Sequence, residues 1–94
     1  MKCNFNTILV DAKGNPVVQD GEPLTSKTII CPILFSAGEG YTQEEKYKAY
    51  KIMRKIEDSN EVELTSEEVT LIKKIIAPQL SVGAYGQIVE ILEG

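Results

Sequence analysis

The chain has 94 residues, 43% of them hydrophobic and 26% charged, which is the composition of a folded globular protein and excludes a disordered one. Ten basic and fourteen acidic residues give a formal net charge of −4, so the chain as a whole repels a phosphate backbone and general nucleic-acid binding is disfavoured. The absence of histidine removes the usual general base of a hydrolase and the imidazole ligand of a metal site.

Residues 1–23 are predicted to form a small β-hairpin. Residues 5–10 have the apolar and β-branched content of a short strand, strong turn formers occupy residues 11–16, and Val17 and Val18 resume the extended pattern. A calcium loop over residues 11–22 is excluded, because Lys13 stands at an oxygen-ligand position and Pro16 stands where that loop needs glycine.

Residues 24–94 are predicted to be mainly helical, and the first of these helices contains a proline. Thr25 is a suitable N-cap for it. Its apolar residues recur at helical spacing: Ile29, Ile30, Ile33 and Leu34. Pro32 removes one backbone donor and strains the preceding turn. A kinked helix is favoured over an extended stretch that breaks at Cys31.

The middle helix begins with a capping box formed by Thr42 and Glu45, and it is predicted to run to about Glu57. One face is apolar and carries Ala49, Ile52, Met53 and Ile56. The opposite face is basic and carries Lys48, Lys51, Arg54 and Lys55. This amphipathic pattern predicts that the apolar face packs on the core and the basic face meets solvent or a partner.

Two more helices are predicted in the C-terminal third of the chain. The first begins with a capping box, Thr65 with Glu68, and Leu64 and Val69 stand at the two positions of a hydrophobic staple. Pro78 ends that helix. The last helix is predicted to start after Ser81. Its predicted apolar stripe is formed by Val82, Tyr85, Val89 and Leu92 and widened by Ile88 and Ile91.

These elements predict one α+β domain over residues 1–94, in which a small N-terminal β-hairpin (1–23) packs on a bundle of three to four helices (24–94). The longest apolar run, residues 29–35, is far shorter than a membrane span, so we expect no membrane insertion and a cytoplasmic location. Two cysteines without Cys-x-x-Cys spacing favour reduced thiols over a disulfide or zinc site.

Neighbouring carboxylates are the remaining candidates for catalysis. Glu44 and Glu45, and Glu67 and Glu68, each lie at a predicted helix start, where capping and the helix dipole explain them without any chemistry. The sequence therefore predicts no catalytic residue, no bound cofactor, no metal ligand and no enzymatic activity.

The basic face of the middle helix is the strongest candidate for a binding surface. Its candidate partner-binding residues are Tyr47, Lys48, Lys51, Arg54 and Lys55. Clustered positive charge on an acidic chain suits an acidic protein surface or a limited phosphate contact. An ordinary solvated helix surface is the competing interpretation, because Glu44 lies four residues before Lys48.

The order of these parts resembles that of small proteins encoded in bacteriophage and prophage genomes. An Asp-x-x-Gly-x-Pro hairpin and a Gly-Glu-Pro-Leu-Thr helix start carry the resemblance in residues 11–25. A Glu-Leu-Thr-x-Glu helix start and the final apolar helix carry it in residues 62–93. The resemblance implies a phage accessory or assembly role in the host cytoplasm, and it transfers no functional residues.

We therefore predict a non-enzymatic protein–protein interaction module that binds a phage or host protein or self-associates as a homodimer. The first alternative is a small regulator that contacts nucleic acid through Lys48, Lys51, Arg54 and Lys55. The two differ in salt dependence, because binding through several phosphate contacts weakens steeply as ionic strength rises. A third hypothesis is an enzyme subunit that borrows its active site from a partner.

Overall fold

The computed structural model describes residues 2–93, and within this range the predicted α+β class is confirmed. The helices are α1 (Ser26–Ser36), α2 (Gln43–Asp58), α3 (Ser66–Ile76) and α4 (Val82–Glu93), with a 3-10 turn at Ala77–Gln79. The short strands are β1 (Lys2–Asn4), β2 (Val18–Gln19), β3 (Glu22–Pro23) and β4 (Glu61–Glu63). None of the helices in the described range is long and apolar enough to cross a bilayer.

β1 and β4 form an antiparallel two-stranded sheet that connects the start of the chain to the link between α2 and α3. Cys3 lies opposite Val62, and both side chains are buried, whereas their neighbours along each strand are exposed. The strand predicted over residues 5–10 is wrong, because the regular strand lies before it. The Asn4 side chain accepts a hydrogen bond from the Asn6 backbone N–H (2.9 Å), and this turn interrupts the extended chain.

The turn predicted at residues 11–16 is present, but the segments on its two sides pair only through an isolated bridge between Val10 and Pro16. One carboxylate oxygen of Asp11 accepts the backbone N–H groups of Lys13 (2.9 Å) and Asn15 (3.0 Å), and these bonds hold the turn closed. This part of the predicted hairpin is thus a side-chain-stabilised turn without a regular ladder.

The hairpin with paired strands lies further along, between β2 and β3. Asp20 and Gly21 form its two-residue turn, and both have positive φ (54° and 82°), as a type I′ turn requires. Backbone N–H groups then link three extended segments in a ring: Leu9 donates to Leu24, Leu24 to Val17, and Val17 to Leu9, at 2.8–2.9 Å. Three short extended segments, two of them paired as β2 and β3, replace the one predicted hairpin.

α1 is a helix in spite of its proline. The Thr25 hydroxyl accepts the Thr28 N–H (3.3 Å), and Ile30 and Leu34 are buried one turn apart. Pro32 lies inside the helix on its exposed side. Since Pro32 has no N–H, the carbonyl of Thr28 lacks its usual helical hydrogen-bond donor. Thr28 is exposed, so water can reach this carbonyl.

α2 and α3 begin as the sequence predicts, each with a complete capping box, formed by Thr42 with Glu45 and by Thr65 with Glu68. The predicted apolar face of α2 is buried throughout: Ala49, Ile52, Met53 and Ile56. The two residues of the predicted staple, Leu64 and Val69, are buried as well. The buried apolar side chains of residues 2–93 form one cluster, which extends from β1 to α4.

α4 lies against β1 and α3. Its buried residues are Ile88 and Leu92, and the carbonyl of Leu92 accepts the Cys3 thiol (3.5 Å). The predicted stripe is wrong at its start, because Val82 is 92% exposed. The first turn of α4 extends past the core, and Gln87 fixes the helix to the N-terminal segment through two hydrogen bonds to the backbone of Val10 (2.8 and 2.9 Å).

Candidate functional site

The five predicted partner-binding residues are all exposed on α2, but they do not form one continuous surface. Lys48 and Lys55 lie on the side of α2 that meets α3, where both make ion pairs. Tyr47, Lys51 and Arg54 lie on the side of α2 opposite its buried residues. The structure therefore separates a group with an internal role from a group that faces solvent.

A reciprocal set of ion pairs joins α2 to α3. Glu45, in the capping box of α2, binds Lys74 near the end of α3 (2.7 Å), and Glu68, in the capping box of α3, binds Lys55 near the end of α2 (2.9 Å). A third pair, Lys48 with Glu67, is longer (3.5 Å) and more exposed. Each helix start thus holds the end of the other helix, which fixes the two as an antiparallel pair.

These contacts lower the pKa of both capping glutamates. For Glu45, the hydrogen bond from Lys74 is the largest cause, followed by the backbone N–H of Thr42. For Glu68, burial alone would raise the pKa, but the hydrogen bonds from the Thr65 backbone and Lys55 outweigh it. Both carboxylates are therefore stabilised as anions that support the fold, which argues against acid–base catalysis by either.

The solvent-facing group is completed by Tyr50, and we call Tyr47, Tyr50, Lys51 and Arg54 the α2 outer surface. Tyr47 is 62% exposed and Tyr50 is 45% exposed. The Lys51 ammonium lies 4.9 Å from the centre of the Tyr47 ring, a cation–π distance. Neither Lys51 nor Arg54 makes an ion pair with any residue between 2 and 93, so both charges are available to a partner.

Phe35 was not predicted for this region, and Tyr50, a possible interface anchor because it is a tyrosine, was not among the five predicted partner-binding residues. Phe35, near the end of α1, is 72% exposed, which is unusual for a side chain with no polar atom. The chain has six aromatic residues, and three of them, Phe35, Tyr47 and Tyr50, are exposed on the helical hairpin of α1 and α2. The sequence did contain a signal for these residues, because each lies on a helix but outside its buried face. An apolar residue in such a position is a candidate for contact with a partner.

A small pocket opens between α1 and α2 beside Phe35, and we call it the α1–α2 pocket. Its volume is about 280 Å³, and its lining is Cys31, Pro32, Phe35, Ser36, Met53 and Glu57. Burial, and after it the hydrogen bond to Glu57, raise the pKa of the Cys31 thiol to about 12. Cys31 is therefore a neutral thiol at neutral pH and part of an apolar lining rather than a nucleophile.

Two larger cavities offer no catalytic arrangement. One, of about 510 Å³, lies between the end of α1 and the 3-10 turn, and Glu39 is the one carboxylate in its lining. The other, of about 550 Å³, lies between α2 and α3 and is lined by the ion-paired residues Glu45, Lys48, Glu67 and Lys74. Among residues 2–93, no three His, Cys, Asp or Glu side chains are grouped so that they could hold a metal ion.

Comparison with known proteins gives no relatives. No protein family matches the chain, and neither the curated proteins nor the solved structures contain a match.

Proposed function

We propose that this chain is a non-enzymatic protein–protein interaction module that binds its partner through the α2 outer surface. The observation that carries the proposal is the combination of two exposed tyrosines with two cations that make no ion pair within residues 2–93. Tyrosine and arginine are enriched at protein interfaces, because they bury a large area and still offer a polar group at its edge.

The positions of Lys48 and Lys55 favour a protein partner over nucleic acid. Both belong to the basic face predicted from the sequence, but their ammonium groups are paired with Glu67 and Glu68. Lys51 and Arg54 are left as the solvent-facing cations of that face, and affinity for a phosphate backbone grows with the number of cations that contact it. The nucleic-acid regulator remains the second candidate and is one outcome of the experiment below.

The chemistry of the groups discussed above supports a binding role. The chain contains no histidine, its capping glutamates are stabilised as anions, and the Cys31 thiol is held neutral. The resemblance to phage accessory proteins supports a role in the cytoplasm of an infected host. Cys3 and Cys31 are both buried and are not joined in a disulfide, which is consistent with a reducing compartment.

Site-specific photo-crosslinking in the expressing host tests this proposal. A photoreactive phenylalanine analogue replaces Tyr47, and a matched control places it at Val82, which is 92% exposed on α4. We expect the analogue at position 47 to give a discrete protein adduct that is absent for position 82 and unchanged by nuclease. An adduct removed by nuclease would support the nucleic-acid candidate, and equal adducts at both positions would contradict a specific role for α2.

A further inference from the structure

We propose that the partner presents an acidic segment whose single apolar side chain enters the α1–α2 pocket, while its carboxylates bind Lys51 and Arg54. The inference rests on the proposed function and extends it to the chemistry of the partner. It also enlarges the binding region from α2 alone to the hairpin of α1 and α2.

The pocket has the size and lining of an anchor site for one side chain. Its volume of about 280 Å³ corresponds to about nine waters at ~30 Å³ each, which is below the range of most small-molecule sites. Pro32, Phe35 and Met53 supply apolar walls, and methionine adapts its shape to the group it contacts. Phe35 forms an exposed rim that the anchor would cover, which explains why a phenylalanine stands in solvent.

The positive charge begins one helical turn from this pocket. Arg54 lies three residues before Glu57, which lines the pocket, so their Cβ atoms are about 5–6 Å apart. Lys51 lies three residues before Arg54 and is therefore one further turn from the pocket. Glu57 disfavours a carboxylate inside the pocket itself, and Glu44 and Asp58 stand near the two ends of α2. The partner's acids are therefore expected against the centre of α2, and its apolar residue in the pocket.

The same charges disfavour a second copy of this chain as the partner here. A two-fold symmetric contact through the α2 outer surface would bring Lys51 and Arg54 close to their own copies. Like charges in a contact are repulsive, and this arrangement supplies no compensating acid from α2 at the centre. A different, acidic protein fits the charge of this surface.

Peptide selection on the intact chain tests the inference. A displayed library of random twelve-residue peptides is selected on the immobilised protein, with the Phe35→Ser variant used for counter-selection. Affinities of the enriched peptides, labelled with fluorescein, are then measured by anisotropy at low and high salt. We expect enriched sequences to share one aliphatic or aromatic residue with aspartate or glutamate nearby.

Two variants with matched controls decide the result. Lys51→Glu combined with Arg54→Glu should weaken the enriched peptides by about tenfold or more at low salt, whereas Lys13→Glu, in the exposed turn at residues 11–16, should not. Phe35→Ser should also weaken them, and Val82→Ser should not. Circular dichroism confirms that each variant is folded.

Neutral or basic enriched peptides, or peptides that bind the double variant equally well, would overturn the acidic partner. The same holds if no sequence is enriched on the natural chain over Phe35→Ser. Crosslinking at position 47 is independent of the peptide chemistry, so an adduct there would leave the proposed function standing while this inference fails. If neither the adduct at position 47 nor the enriched acidic peptides are found, both the proposed function and this inference are contradicted.

Discussion

The carboxylate of Glu68 binds Lys55 through one oxygen (2.9 Å) and accepts the backbone N–H of Thr65 through the other (2.9 Å). One side chain therefore starts α3 and also holds the end of α2. Glu45 does the same for the opposite ends of the two helices, with Lys74 as its partner. Part of the basic face of α2 is consequently structural, and the residues that we propose for binding are those outside these ion pairs.

Charge reversal at two lysines of the same face should have different effects. Lys55→Glu places a like charge beside the partly buried Glu68 and should lower the free energy of unfolding by about 1 kcal/mol. Lys51→Glu removes no ion pair and should change it by less than about 0.5 kcal/mol. Urea unfolding followed by circular dichroism gives both values, and equal losses would contradict this division of the face.

Stability should fall as the solution becomes acidic. The pKa values of Glu45 and Glu68 are lower in the folded chain than the usual 4.5, so their contribution is complete above that value and is lost as pH falls through their folded pKa values. Melting temperatures measured from pH 7 to pH 3 should show this decline. In the double variant Glu45→Gln and Glu68→Gln the decline should be shallower, and an identical profile would show that these two groups do not cause it.

The hydrophobic staple before α3 should contribute strongly to stability. Leu64 is 1% exposed, so Leu64→Ala removes buried methyl groups and leaves a cavity, and we expect a loss of about 2–5 kcal/mol. Val82→Ala is the control, because Val82 is exposed and its truncation should cost less than about 0.5 kcal/mol. Thermal unfolding checks both, and an unchanged melting temperature for Leu64→Ala would refute the staple.

The Cys31 thiol should be unreactive in the folded chain. With a pKa of about 12, it holds very little thiolate at pH 8, and Cys3 is also buried with a raised pKa. A chromogenic disulfide reagent should therefore react with both thiols only after denaturant is added. Glu57→Gln removes the hydrogen-bonding carboxylate and should lower the pKa of Cys31. Rapid reaction of the natural folded chain at pH 8 would contradict the burial of these thiols.

Local signals predicted the helices well. Both capping boxes and the buried face of α2 follow from residues within two turns of one another, and the structure has them where the sequence places them. The sheet was missed because β1 pairs with β4 about sixty residues later, and each strand buries a single side chain, Cys3 or Val62. Unless the partner strand is known, a strand pattern this short cannot be distinguished from a polar loop.

Only part of the candidate site could be predicted, because local patterns do not show how helices pack on one another. Helical periodicity placed Tyr47, Lys51 and Arg54 on the outside of α2. It could not show that α3 lies beside Lys48 and Lys55, because that depends on how two helices pack. The place of Phe35 in the α1–α2 pocket could not be predicted either, because Phe35 lies beside Met53 only through the contact of α1 with α2.

The most direct test of the binding surface is a nuclear magnetic resonance titration of the isotopically labelled chain with the protein recovered by crosslinking. We expect the largest amide shift changes within residues 46–54 of α2 and residues 31–36 of α1, with little change in α4. Changes concentrated on α4 or on the sheet of β1 and β4 would contradict the account, because they would place the partner on another face.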